Sequence, residues 1–236
     1  MNILYGVHHP LDPRLGTPAA SMAVAGELSK LGHTVDFYGY DQAFGRFKRR
    51  DSSSLRLAFP WRLTAFLLRY AARFDVLDIT TGDAWLWAAL SQLRAHGRPT
   101  IIARSNGIEH LANRAFMQQV RNGDATVSWR YPLYTDGLRL WEVRQSFRLA
   151  DGAVVLNDTE RRFALDRLGA PPETTRVVPH GLEDDMLRLP PPGARERPAD
   201  GTARLCFVGA WGTHRGARDV VATVELLHRA GRKVSL

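Results

Sequence analysis

Cysteine is nearly absent from this chain: Cys206 is the single one in 236 residues. One thiol makes no internal disulfide, so the fold must be held by a core, and a reducing, cytoplasmic compartment fits that usage. Cys206 stands in the apolar run "RLCFVG", where a small buried hydrophobe is expected and a reactive nucleophile is not. Long hydrophobic runs are also missing: no stretch approaches the roughly 18 apolar residues of a membrane span, and "MNILYGVHHP" has no charged leader of the kind a signal peptide carries. Lysine is scarce. Apart from Lys30, Lys48 and Lys233, the 32 basic residues are arginines, and they are spread through nearly every segment, so the net charge of +8 outlines no nucleic-acid patch. There is no G-x-x-x-x-G-K-[ST] loop, no G-x-G-x-x-G after the first apolar run and no G-x-S-x-G elbow. Those absences argue against a nucleoside triphosphatase, a nicotinamide dehydrogenase and a serine hydrolase. His8 and His9 are adjacent, point in different directions and read as a satisfied polar pair at a strand end, so no metal is expected.

What is present is an alternation of strand and helix. With 44% apolar residues the chain has enough to bury a core. "NILYGV", "TVDFYGY", "DVLDIT", "PTIIAR", "GAVVLN" and "TRVVPHG" read as strands, and helices are expected over "TPAASMAVAGELSKLG", "AWLWAALSQLRAHG", "GLRLWEVRQSFRLA" and "TERRFALDRLG". In the first helix Thr17 suits the cap, Pro18 the first helical position and Gly32 the stop. This pattern predicts an α/β fold, a doubly wound, parallel, Rossmann-like sheet over residues 1–184. The three prolines of "LRLPPPGARERPADGTA" then predict a linker at 185–202, after which a strand-helix-strand pattern restarts over 203–236.

The densest basic run, "RFKRR" at 46–50, is followed by "WRLTAFLLRYAARF", in which Trp61, Ala65, Leu68 and Ala72 share one helical face beside Arg62, Arg69 and Arg73. Such a helix packs on its own domain with its arginines in solvent, the favoured reading, or lies on an anionic membrane surface.

Open parallel sheets bind ligands beyond the carboxyl ends of their strands. Five polar loops fall there: "PRLGTP", "TTGDAW", "RSNGIEH", "NDTE" and "PHGLED". Gly16 allows close backbone approach, and the helix opening at Thr17 offers free N–H groups to an anion; a tight turn with an ordinary cap needs the same residues.

Taken in order, these loops give the sequence its resemblance to the N-terminal part of a GT-B glycosyltransferase of the retaining family 4 group. "GTPAASMAVAGELSKLGHTV" is similar to the family's opening loop and helix. "SNGIEH" is similar to its H-G-x-E loop, "ADGAVVLNDTE" to its A-D-x-V strand and "VVPHG" to its V-x-P-[NH]-G turn. "FVGAWGTHRG" is similar to the start of its donor domain. The resemblance implies transfer of a sugar, with retention, from a nucleotide-sugar donor to a saccharide, lipid or small-molecule acceptor. It implies a cytoplasmic enzyme, peripheral to the inner membrane face where it meets anionic lipid, needing neither cofactor nor metal and no nucleic acid.

By the same resemblance Gly209, Arg215 and Gly216 hold the donor phosphates, with Arg215 in the place of the family's lysine and Ala210 in the place of its arginine. Asn106 stands where the family has its sugar-facing histidine, which makes Asn106 and His110 the catalytic candidates. Gly16, Thr17, Arg104, Glu109 and His180 are the expected acceptor or cleft residues. The family's later pair of donor-side glutamates has no counterpart in these 236 residues, so the sequence is read as truncated and as inactive alone. The alternative is a non-catalytic acceptor-binding or interaction module; a sugar-nucleotide epimerase of the same architecture is a third reading, disfavoured by the "VVPHG" and "THRG" turns.

Overall fold

The alternation of apolar and amphipathic runs becomes six parallel strands in a computed structural model that describes residues 1–45, 53–93, 97–129, 131–181, 188, 201–208 and 216–236. Two units form, one from Met1–Asn113 with Ser128–Leu182, the other from Arg114–Val127 with Glu183–Leu236. The linker expected at 185–202 lies almost wholly outside the described residues.

In the first unit the strands are β1 (Asn2–Gly6), β2 (Thr34–Tyr38), β3 (Val76–Thr80), β4 (Thr100–Arg104), β5 (Gly152–Val155) and β6 (Thr175–Val177). They lie side by side in the order β2-β1-β3-β4-β5-β6, every neighbouring pair parallel. The helices are α1 (Gly16–Lys30), α2 (Tyr40–Phe44), α3 (Ser53–Tyr70), α4 (Trp85–Ser91), α5 (Glu109–Arg121, which opens in this unit), α6 (Leu140–Leu149) and α7 (Asp158–Phe163). A π-helical turn, Pro132–Arg139, leads into α6.

The central strands β1 and β3 bury both faces, so alternate residues feed two cores. Leu4, Leu77, Ile79, Ile101, Ala103, Ala153 and Val155 join Phe59, Leu63, Leu67, Trp87, Val143 and Phe147 in the larger one; Ile3, Tyr5 and Ala25 form the smaller one under α1. Chain order reverses between β1 and β3, since β2 lies to one side of β1 and β3 to the other. A crevice opens at such a switch, because successive crossovers leave toward opposite faces.

Three local expectations are corrected. Thr17 is not the cap: α1 begins at Gly16 with Leu15 in the cap position, which puts Thr17 and Pro18 inside the first turn, where free N–H groups still tolerate proline. Gly32, at φ +84°, ends α1 as expected. The stripe Trp61, Ala65, Leu68 and Ala72 is exposed; α3 packs through Leu55, Phe59, Leu63 and Leu67, a second apolar stripe opposite the first. Cys206 is exposed; among the described residues of its unit β7 (Ala203–Arg204) and β8 (Val234–Ser235) form a sheet of two strands beside the helix α8 (Ala217–Arg229).

Candidate functional site

Loops leaving β1, β3 and β4 enclose a cavity of about 140 Å³ at the switch point, lined by His8, His9, Thr17, Thr80, Thr81, Asn106, Gly107 and Glu109. Every lining residue belongs to the first unit. The lining residues carry two imidazoles, three hydroxyls, an amide and a carboxylate, a set that can donate to and accept from the hydroxyls of a small ligand.

Beneath the cavity lies a buried charged cluster. Nδ1 of His8 is 2.5 Å from Oδ2 of Asp83, whose side chain is fully buried. Thr80 donates its hydroxyl to the same oxygen at 2.6 Å. The other oxygen, Oδ1, accepts from Arg139 at 3.0 Å. Arg139 also donates to the carbonyls of Gly82 at 2.8 Å and Thr81 at 2.9 Å, so an arginine at the foot of α6 clamps the β3–α4 turn. Glu142 lies 3.4 Å and Glu109 3.5 Å from the same guanidinium, and Thr81 donates to Glu109 at 3.0 Å. The turn takes this form because Gly82 sits at φ +83°, with the guanidinium where a side chain would otherwise stand.

Burial pushes the Asp83 carboxyl up, but the charges of His8 and Arg139 and the hydrogen bonds from His8 and Thr80 outweigh it, leaving the group at about 2. It is therefore ionised at neutral pH. Burial raises Glu142 to about 7 against the pull of Arg139. For Arg139 itself burial favours loss of the proton, but Asp83, Glu109 and Glu142 win and the guanidinium stays charged. An ionised carboxylate on Nδ1 leaves Nε2 as the free nitrogen of the His8 ring, the arrangement that holds a histidine ready to accept from or donate to a hydroxyl.

The expected site residues divide. Thr17, Asn106 and Glu109 line the cavity together, and Gly16 precedes Thr17 with nothing within 4 Å of the position its Cβ would take. Arg104 does not line it: the guanidinium donates to Asp78 at 2.7 Å, forms a second short contact with the same carboxylate and lies over the Tyr5 ring at 5.7 Å. His110 is half-buried, its ring centroid 5.8 Å from that of Phe163. His180 is exposed beyond β6, outside the cavity lining. The "NDTE" loop caps α7, with Asn157 accepting from the Glu160 N–H at 2.9 Å and Glu160 accepting from Leu156 N–H at 3.0 Å. Gly216, at φ +78°, caps α8 in the second unit. Gly209 and Arg215 lie outside the described residues.

Asp83, Arg139 and Glu142, beneath the cavity, were not among the expected residues. "TTGDAW" marked the loop but not Asp83 within it, and the partners of His8 are 75 and 131 residues away, beyond any local pattern. The one available signal was a glycine followed by an acid at a strand end.

The family model for Glycosyltransferase Family 4 matches residues 20–185. Among solved structures, sucrose-phosphate synthase from Thermosynechococcus elongatus superposes with a TM-score of 0.63 at 16% identity, over 96% of this chain and 60% of that one. This chain thus spans 60% of that synthase's length. A second structure of that synthase gives a TM-score of 0.48 at 13% identity, covering 79% of this chain and 93% of the other. Apo UGT2 from Phytolacca americana gives 0.42 at 11%, covering 86% and 56%. No curated protein sequence matches the chain. The match over residues 20–185 and the shared GT-B fold place the chain in Glycosyltransferase Family 4.

Proposed function

We propose that this chain is the acceptor-side part of a glycosyltransferase that moves a sugar from a nucleotide-sugar donor to a saccharide, lipid or small-molecule acceptor with retention of configuration. The observation that carries this reading is the cavity at the sheet's switch point, with His8 held by a buried, ionised Asp83. On this reading the acceptor hydroxyl sits in the cavity, where Nε2 of His8, Asn106 and Glu109 orient it and Thr17, at the free N–H groups of α1, meets its polar end. Gly209, Arg215 and Gly216 face the donor diphosphate, where Arg215 offsets charge that grows as the sugar–phosphate bond breaks; no metal or cofactor is required. His110 stays the second catalytic candidate and Arg104 and His180 stay cleft candidates, all three outside the lining of this cavity. Among the described residues no helix is long and apolar enough to cross a membrane. On this reading the enzyme works in the cytoplasm and meets the inner membrane face where its acceptor or the lipid surface is anionic.

Calorimetric titration of the purified chain with a panel of saccharide, lipid and small-molecule acceptors tests this, alongside release of nucleoside diphosphate from a panel of nucleotide sugars. The chain is expected to bind one acceptor class, and His8→Ala and Asn106→Ala to weaken it by about tenfold or more, the loss of one or two hydrogen bonds. Turnover is expected to stay at background for these 236 residues. Binding by neither the wild type nor any acceptor class, or binding indifferent to both substitutions, overturns the site. Binding that never couples to donor cleavage in any longer form of the protein leaves the non-catalytic module.

A further inference from the structure

The exposed apolar stripe of α3 continues onto two neighbouring helices. Trp61 on α3 meets Trp85 on α4 edge-on, with ring centroids 6.2 Å apart, and Trp85 meets Trp141 on α6 at 5.0 Å. Trp61 is 58% exposed, Trp141 45% and Leu68 54%, while Trp85, half-buried with its Nε1 out of solvent, bridges the two exposed indoles. Packing seats Trp85 but leaves Trp61, Trp141 and Leu68 unexplained, since these helices already place Phe59, Leu63, Leu67, Trp87, Val143 and Phe147 in the core on their other sides. Large exposed indoles gathered on one face mark a surface that is covered by something.

The charge around this face says what covers it. Residues 53–73, 85–91 and 140–149 contain six arginines, at 56, 62, 69, 73, 144 and 148, and one acid, Glu142. Glu142 is buried against Arg139 and shows no charge to the surface. Arg62 and Arg69 directly follow Trp61 and Leu68, so they sit about 100° round the helix from the apolar stripe and border it. Both are exposed, as are Arg73, Arg144 and Arg148. Indoles sink to the headgroup level of a bilayer and arginines beside them bind anionic headgroups. A protein partner recognised by this face would need both an apolar trough and a matching acidic rim, whereas an anionic bilayer supplies both without a shaped counterpart.

We propose that the α3–α4–α6 face, through Trp61, Trp85, Trp141, Leu68, Arg62 and Arg69, docks the protein onto an anionic lipid surface. This rests on the membrane-face part of the proposed function and names the surface responsible.

The test is binding of the purified chain to vesicles of phosphatidylglycerol and phosphatidylcholine, against vesicles of phosphatidylcholine alone, by co-sedimentation and by the blue shift of indole emission, with no sugar present. Binding is expected only to the anionic vesicles and to weaken steeply in high salt. Trp61→Ser with Trp141→Ser is expected to weaken it about tenfold or more, and Arg62→Glu, Arg69→Glu and Arg73→Glu together by about a hundredfold, with circular dichroism unchanged because these side chains lie outside the core. Equal binding to both vesicle types, no binding, or binding untouched by either set of substitutions overturns the proposal. So does a concentration-dependent dimer, without vesicle binding, that the tryptophan substitutions dissolve; the face then belongs to a second copy. Because no sugar enters the assay, a failure here leaves the acceptor site standing, and Asn106→Ala, which should cripple acceptor binding, should bind vesicles normally.

Discussion

Asp83 lies 2.5 Å from Nδ1 of His8 while its second oxygen takes a hydrogen bond from Arg139, so one buried carboxylate both aims the imidazole and anchors the clamp on its own loop. Removing the charge uncouples these tasks. In Asp83→Asn, Arg139 loses its fully buried counter-charge and His8 its fixed orientation. Stability is expected to fall by about 3 kcal/mol, the scale for breaking one side of a buried pair. Nitrogen-detected NMR of the ring is expected to show Nδ1 protonated in the wild type and a mixture of tautomers in the variant. A wild-type ring that already populates both tautomers would dissociate His8 from the role assigned to it.

Gly82 should be the least replaceable glycine in the first unit. At φ +83° any side chain is strained, and a Cβ there would stand 2.3 Å from Cζ of Arg139. Gly32 has nearly the same φ, +84°, with nothing within 4 Å, which makes it the internal control. Gly32→Ala is expected to lose about 1 kcal/mol from backbone strain alone. Gly82→Ala is expected to lose about 3 kcal/mol or more, because the guanidinium must leave Asp83 and the Thr81 carbonyl as well. Urea denaturation of the two variants separates the contributions; equal losses would mean that Arg139 is not held as described.

The sheet was legible because parallel strands buried on both faces leave continuous apolar runs, and each of the six that "NILYGV" to "TRVVPHG" promised is present. The clustering of polar loops at one end of the sheet was legible for the same topological reason, and Thr17, Asn106 and Glu109 do share a cavity. The charged cluster beneath it was not, since contacts such as His8 to Asp83 and Arg139 exist only after the crossovers have been made. Nor does periodicity say which of two apolar stripes on α3 faces inward: Trp61–Leu68 and Phe59–Leu67 both keep helical spacing, and only packing against the rest of the unit decides between them.

That choice on α3 has a direct thermodynamic signature. Phe59 is wholly buried, whereas Trp61, two residues on and larger, is 58% exposed. Phe59→Ala is expected to lose about 3–5 kcal/mol through the cavity it leaves. Trp61→Ala should lose about 1 kcal/mol or less, chiefly its edge contact with Trp85. Thermal and urea melts of the pair check this, and a Trp61 loss comparable to that of Phe59 would return the exposed stripe to the core and remove the basis for lipid docking.

The buried cluster should also shape how stability depends on pH, with two carboxyls acting in opposite senses. Asp83 titrates at about 2 when folded against an ordinary 3.8, so between those values the unfolded chain binds the extra proton. Its contribution is whole above about pH 4 and drains as the pH falls toward 2, by about 2 kcal/mol. Glu142 is displaced the other way, from 4.5 to about 7 by burial, so the folded chain holds its proton longer than the unfolded one. Stability is therefore lost as the pH rises from about 4.5 through 7, by about 3 kcal/mol, and levels off above that. Together the two place the cluster's greatest contribution near pH 4 to 5. Glu142→Gln should flatten the neutral arm and leave the acid arm, since the amide is neutral throughout; Asp83→Asn should remove the acid arm on a lower baseline and also shrink the neutral arm, because the Asp83 charge helps to raise Glu142. Urea denaturation from about pH 3 to 8 at constant ionic strength reads both arms. If Glu142→Gln ran parallel to the wild type between about pH 5 and 7, Glu142 would already be ionised beside Arg139 and the neutral arm would have to come from another group.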